Sequence, residues 1–169
     1  MQTKRKQNKR AGGGAAAEPS AVPASSMLPL WRSIHHAFLT RGQKWRLPSN
    51  AAMVLLHLQV HPEDGEPAVL AEVTFFPRQT MTFALDTLEA RGLARRAPHP
   101  SDRRRKRVVL TRSGQKLSAD MLQDLLAFEA RALAEIPADE IDRLRQYLTR
   151  YAEALTRQNA ASSPVKGSP

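Results

Sequence analysis

The chain has 169 residues, 41% of them apolar and 5% aromatic, and it contains no cysteine. That length supports one domain with a real core, and the missing cysteine excludes disulfides, thiolate metal sites and thiol-based redox sensing. The net charge of +10 points to a polyanionic partner, and with no apolar run long enough to span a bilayer, no membrane partner is expected.

The charge is concentrated. Residues 91–116 carry ten bases against Asp102 alone, whereas residues 117–156 carry four bases and eight acids. One short, strongly basic segment is the footprint of phosphate binding.

In chain order, residues 1–26 combine the basic start MQTKRKQNKR with GGGAAA and scattered Pro and Ser. They cannot bury enough apolar surface to offset ordering entropy, so a disordered tail is expected. No apolar segment follows the basic start, so it is not a secretory signal, and a cytoplasmic location is expected. A first helix is predicted over Leu28–Arg41, with Leu30, Ile34, Ala37 and Phe38 at helical spacing and Gly42 as its stop. A second runs from Ser49 to Val60, closed by Pro62, Asp64 and Gly65. Val69–Phe75 is a short third helix. Pro77–Arg91 is a fourth, with Pro in its first turn and Gly92 past its end.

The period then changes. Leu93–Ala97 and Arg107–Thr111 read as two strands joined by a polar loop containing Pro98, Pro100 and Asp102. From Ser113 the helical period returns, first as the stripe Leu117, Met121, Leu125, Phe128 and Ala132. After Pro137 it resumes as Ile141, Leu144, Leu148, Tyr151 and Leu155, and residues 158–169 read as a second disordered tail. Helix, turn, helix and hairpin is the order of a winged helix-turn-helix. The expected fold is mainly α with a small β-hairpin wing, in one domain at 27–157 with the winged unit at about 47–112. Helices at about 28–41 and 113–157 flank it, and the stripes Leu117–Ala132 and Ile141–Leu155 are too long for a small winged unit to cover, which marks them as association surfaces.

The fourth helix divides by face. Met81, Ala84, Leu85 and Leu88 are expected to pack on the core, with Gln79, Thr82, Phe83 and Asp86 opposite. A solvent face would ordinarily carry long charged residues at its N-terminal end. Gln, Thr and Phe suit the major groove better: Gln bonds adenine bidentately, and Thr and Phe contact thymine methyls. Arg78 and Thr80 share the first turn, where Arg78 reaches phosphate and the helix N-terminus favours an anion. Asp86 lies too far along the helix to meet the DNA backbone.

The segment from Val69 to Leu117 resembles the DNA-binding core of the multiple-antibiotic-resistance regulator (MarR) family. The recognition-helix string TMTFALDTLEARGL, the wing signature Asp102-Arg103-Arg104 and the LTRSG entering the next helix carry the likeness, which extends weakly over Leu28–Leu155. Pro77 and Phe76 depart from the polar residues usual at the helix entrance, and Phe83 stands where a polar residue is common. The resemblance implies a homodimer formed by the first and last helices, set on double-stranded DNA with a near-palindromic operator. It implies that Asp102 orients Arg104 by a charge-assisted pair. Wing residues Arg103, Arg104, Arg105 and Lys106 are then expected to enter the minor groove or hold phosphates. It also implies a repressor released by a small aromatic or anionic effector, for which Trp31, Arg32, His35, Trp45 and His57 are candidate contacts.

Other classes fit less well. A nonspecific architectural DNA-binding protein would not need the polar groove face at Gln79 and Thr82. His57 and His61 have i, i+4 spacing and His35–His36 lie on a nearby helix, as in a metal-responsive regulator, but a histidine pair on a helix is ordinarily unliganded and no metal or cofactor is assigned. No nucleophile–base pair or phosphate-cradling glycine loop points to an enzyme.

Overall fold

The computed structural model describes residues 22–99 and 105–162. Asp102, Arg103 and Arg104 lie outside the described residues, as do most of the two expected tails. Among the described residues, the chain forms α1 (Leu28–Gly42), α2 (Ser49–Val60), α3 (Pro67–Val73), α4 (Arg78–Ala90), β1 (Ala94–Pro98), β2 (Lys106–Leu110), α5 (Arg112–Leu133) and α6 (Ala138–Ser162). The strands pair antiparallel, from Ala94 opposite Leu110 to Pro98 opposite Lys106. This is the winged helix-turn-helix with a long helix on one side and two on the other. No helix among the described residues is long and apolar enough to cross a membrane.

The core sits under the winged unit. Ala51, Val54, Leu55 and Leu58 of α2 meet Leu70 of α3 and Met81, Ala84, Leu85 and Leu88 of α4. Leu93, Ala94, Val108 and Met121 close it from the hairpin and α5. Each fully buried Leu here contributes about 1.5–3 kcal/mol of transfer free energy. The α4 face split is the one its spacing predicts, because four apolar residues within two turns leave the helix one way to dock.

Four features differ from the sequence-based expectation. Gly42 does not stop α1: its φ is −69°, and the chain continues as a 3-10 turn at Gln43–Trp45. The stop is Arg46, in the left-handed region at φ 53°, whose carbonyl accepts a 2.6 Å hydrogen bond from the Arg91 guanidinium. The third helix starts and ends two residues early, because Pro67 supplies a first-turn proline and Phe75 turns left-handed. On α5, Met121 is buried and Leu117 packs against the core, so the first half of that stripe serves the winged unit itself. The last helix, moreover, continues past Gln158 to Ser162.

Two glycines set the wing against the rest. A Cβ on Gly65 would lie 2.3 Å from the Val108 carbonyl oxygen, and the Gly65 carbonyl accepts from the Val108 N–H at 2.6 Å. Gly65, two residues before α3, therefore pairs with the edge of β2. Gly114 approaches the Leu93 carbonyl as closely, at the point where α5 leaves the hairpin.

Helix α1 has no buried residue and is held to α5 by polar and aromatic contacts. Arg41 Nε donates to Asp124 at 2.9 Å, its Nη2 donates to the other carboxylate oxygen, and Lys44 Nζ lies 2.6 Å from Asp124. Phe38 meets Phe128 edge-on at 5.6 Å. The hydrogen bonds from Arg41 and then Lys44 pull the Asp124 carboxyl down from 3.8 to about 2. A depressed carboxylate stabilises the fold above its ordinary range and loses that contribution as pH falls through its folded value. The stability difference between the chain and Asp124→Asn, followed by denaturant titration, should therefore hold constant above pH 3.8 and shrink as pH falls towards about 2. A difference that stays constant across that window would refute the assignment.

Candidate nucleic-acid interface

The turn between α3 and α4 is built on strain. Phe75 has φ 55° and is 92% exposed. A bulky residue in that region costs on the order of 1–3 kcal/mol and persists only where its surroundings hold it. Its N–H donates to the Glu72 carbonyl at 3.2 Å, the Phe76 N–H donates to Ala71 at 3.1 Å, and Phe76 packs on the core. Pro77, extended at ψ 149°, then releases the chain into α4 with its first amides facing outward. Sequence reasoning missed Phe75, since nothing in the string Phe75-Phe76-Pro77 reports a left-handed residue.

On α4, Arg78, Gln79, Thr82 and Phe83 are exposed and Thr80 is half-buried. Phe83 keeps 58% of its surface in the open. The Thr82 hydroxyl donates to the Arg78 carbonyl at 3.0 Å, which turns its oxygen along the helix. Asp86, next on the same face, is not a bare charge: Arg96 of β1 bonds it at 2.9 Å and reaches Glu89 at 2.8 Å. The Arg96 N–H also donates to the Glu89 carboxylate at 2.9 Å. Arg96 thus ties the hairpin to α4 and masks the acids that would repel a phosphate backbone.

The hairpin is gripped from the other side by Glu66. Its carboxylate pairs with Arg105 and lies 3.3 Å from His99 Nε2, while the His99 N–H donates to the Arg105 carbonyl at 3.1 Å. Glu66 therefore holds both ends of the segment containing Asp102, Arg103 and Arg104. Of the expected wing residues, Arg105 is drawn back to Glu66, whereas Lys106 is exposed. Arg107 is half-buried, and its Nε has no hydrogen-bond partner among the described residues. Glu66 and Arg96 carried no signal in the sequence, because their partners are 39 and 10 residues away.

The candidate effector contacts are not brought to one cavity. Trp31 stacks on His35 at 5.1 Å on the exposed face of α1, where Arg32 is also exposed. Trp45 packs on the core rim under Lys44, and His57 bonds Asp64 beyond the end of α2. The reason is angular: α1 carries its aromatic pair away from the winged unit. The cleft between α1 and α5, of about 490 Å³, is lined by His36, Ala37, Thr40, Arg41, Lys44 and Phe128 instead.

With this geometry in hand, comparisons with known proteins are specific. Residues 47–105 match the model of the MarR family. The structure is similar to that of MepR from S. aureus in complex with DNA, with TM-score 0.67 and 24% identity over 77% of this chain and 96% of that one. MepR bound to ethidium bromide matches with TM-score 0.53 and 23% identity, over 77% of this chain and 96% of that one. A MarR transcriptional regulator from Methanosarcina mazei Go1 matches with TM-score 0.60 and 22% identity, over 81% of this chain and 95% of that one.

Proposed function

We propose that this chain, whose residues 47–105 match the MarR family model, is a MarR-type, sequence-specific DNA-binding transcriptional regulator. It acts as a homodimeric repressor released by a small-molecule effector. The observation that carries the reading is the surface of α4: Gln79, Thr82 and Phe83 stand exposed beside a helix N-terminus with no side-chain cap, and the acids behind them are paired with Arg96. Gln79 reads a base edge, Thr82 and Phe83 meet thymine methyls, and Arg78 with the helix N-terminus holds phosphate. Thr80, half-buried, orients the first turn. Arg103, Arg104 and Lys106 supply the wing contacts with Asp102 orienting Arg104, and phosphate competes with Glu66 for Arg105.

A dimer is supported by what α1 and α6 leave uncovered. Leu28, Leu30, Trp31 and Ile34 on α1 and Tyr147, Leu148, Tyr151 and Leu155 on α6 are all exposed. Two apolar faces of that size on one chain are association surfaces, and a second copy would bury both. Effector release is supported by the solved complex of MepR with ethidium bromide. The α1–α5 cleft, bordered by Phe128 and the Arg41–Asp124 pair, is the place where a bound ligand would alter the joint between the dimerising helix and the winged half.

The test begins by selecting fragments of the source genome that the full chain retains. Titrations should then show a preference of about 10³-fold or more for a selected duplex over a scrambled one. Arg104→Ala should weaken binding to the selected duplex by roughly tenfold or more. Deleting residues 1–26 should mainly lower the dependence of affinity on salt. Equal affinity for selected and scrambled DNA would favour the architectural alternative.

A further inference from the structure

At the corner where α2 ends, the chain gathers four groups with metal-binding chemistry. We propose that His57, His61, Glu63 and Asp64 form a site for a divalent transition-metal ion of the zinc class. His57 and His61 lie one turn apart, with ring centroids 4.9 Å from each other. Pro62 then starts a 3-10 turn over Pro62–Asp64 that folds both carboxylates back beneath the two imidazoles. The resulting pairs are His57 Nε2 to Asp64 at 2.9 Å and His61 Nδ1 to Glu63 at 3.5 Å. Donor atoms of His61, Glu63 and Asp64 all lie within 4.8 Å of one another.

Those spacings suit a small ion. Metal–ligand bonds of about 2.0–2.2 Å in a tetrahedron put neighbouring donors roughly 3.3 Å apart. The two pairs already bracket that value. Two imidazoles with two carboxylates, and no thiolate, favour zinc, nickel or copper over calcium or magnesium. A purely structural use of this corner would need only His57 and Asp64, which are mostly covered and pin the 3-10 turn to the helix. His61 and Glu63 are 50% and 69% exposed, and their contacts stay within this corner: His61 tilts against the His57 ring and pairs with Glu63. A bound ion would give all four one role.

The position also assigns a consequence, which rests on the function proposed above. The next two residues are Gly65, whose carbonyl pairs with the edge of β2, and Glu66, which grips Arg105 and His99. An ion held by His61, Glu63 and Asp64 would fix the segment from which both wing contacts arise.

The experiment titrates the metal-free full chain with zinc against a chromophoric chelator. One ion per chain should bind, and His61→Ala and Glu63→Gln should each lower its affinity by at least about tenfold. Because both side chains are largely exposed, both variants should stay close to the Tm of the metal-free chain while losing the rise in Tm that zinc gives the unaltered protein. A variant lacking His35 and His36 should bind zinc unchanged. Undiminished affinity in His61→Ala, or binding lost with His35 and His36, would overturn the site. In a second arm, zinc should change affinity for the selected duplex in the unaltered chain and not in His61→Ala. Zinc binding without that change overturns the coupling to the wing. A chain that binds zinc and no DNA overturns the regulatory function and supports the site.

Discussion

Gly114→Ala should be the most damaging single methyl group that can be added to this protein. Its Cβ would lie 1.9 Å from the Leu93 carbonyl oxygen and 2.9 Å from the carbonyl carbon. Both are backbone, so no side-chain rotation relieves the clash. The same carbonyl accepts the Thr111 N–H at 3.0 Å, and the Thr111 hydroxyl donates to the Gly92 carbonyl at 2.6 Å while accepting from the Gly114 N–H at 3.1 Å. The start of α5 is thus clamped to the start of β1 through Thr111 and Gly114, and separating them would break the cap of α5 as well as the contact. A loss of about 3 kcal/mol is expected, at the upper end for overpacking, which lowers Tm by on the order of 10 °C. Gly42→Ala is the matching control. Nothing lies within 4 Å of its would-be Cβ and its φ is helical, so it should leave Tm unchanged or raise it slightly. Equal melting temperatures for the Gly114→Ala and unaltered chains would remove the clamp from the account.

The second large effect separates reading from holding. Gln79→Ala should lower affinity for the selected duplex by about 1–3 kcal/mol, between roughly fivefold and 150-fold. Affinity for scrambled DNA should barely change, because an exposed Gln adds no charge and packs on nothing. Arg78→Ala, one residue earlier, should weaken both duplexes alike and reduce the salt slope by about 1. The contrast is the informative measurement. If Gln79→Ala lowered both affinities equally, the helix would be holding phosphate and not reading bases.

Much of this protein follows from its sequence alone. Apolar spacing places the helices to within about two residues, except at the end of α6, which runs on to Ser162, because buried Leu, Val and Met must recur with the helical period to reach one core. The period change after Gly92, with φ 66° where a glycine was expected, marks the hairpin in the same local way. Exposure of Gln79, Thr82 and Phe83 follows from the burial of Met81, Leu85 and Leu88, since a helix that docks one face must present the other. Even the LTRSG string, unremarkable by itself, encodes a cap and a close approach.

Tertiary structure alone decided the rest. Asp86 reads in sequence only as an acid too far along the helix to meet the DNA backbone, and the return of β1 is what brings Arg96 to it. Glu66 becomes the grip on the wing only when the segment before α3 lies against β2, and Asp124 becomes a depressed carboxylate only when α1 crosses α5. Glu63 and Asp64 join the histidine pair because a single 3-10 turn folds them back under it. Local periodicity is set by burial, which every residue along an element reports. Ion pairs between distant residues depend on the angle at which elements cross, and no run of neighbouring residues records that angle.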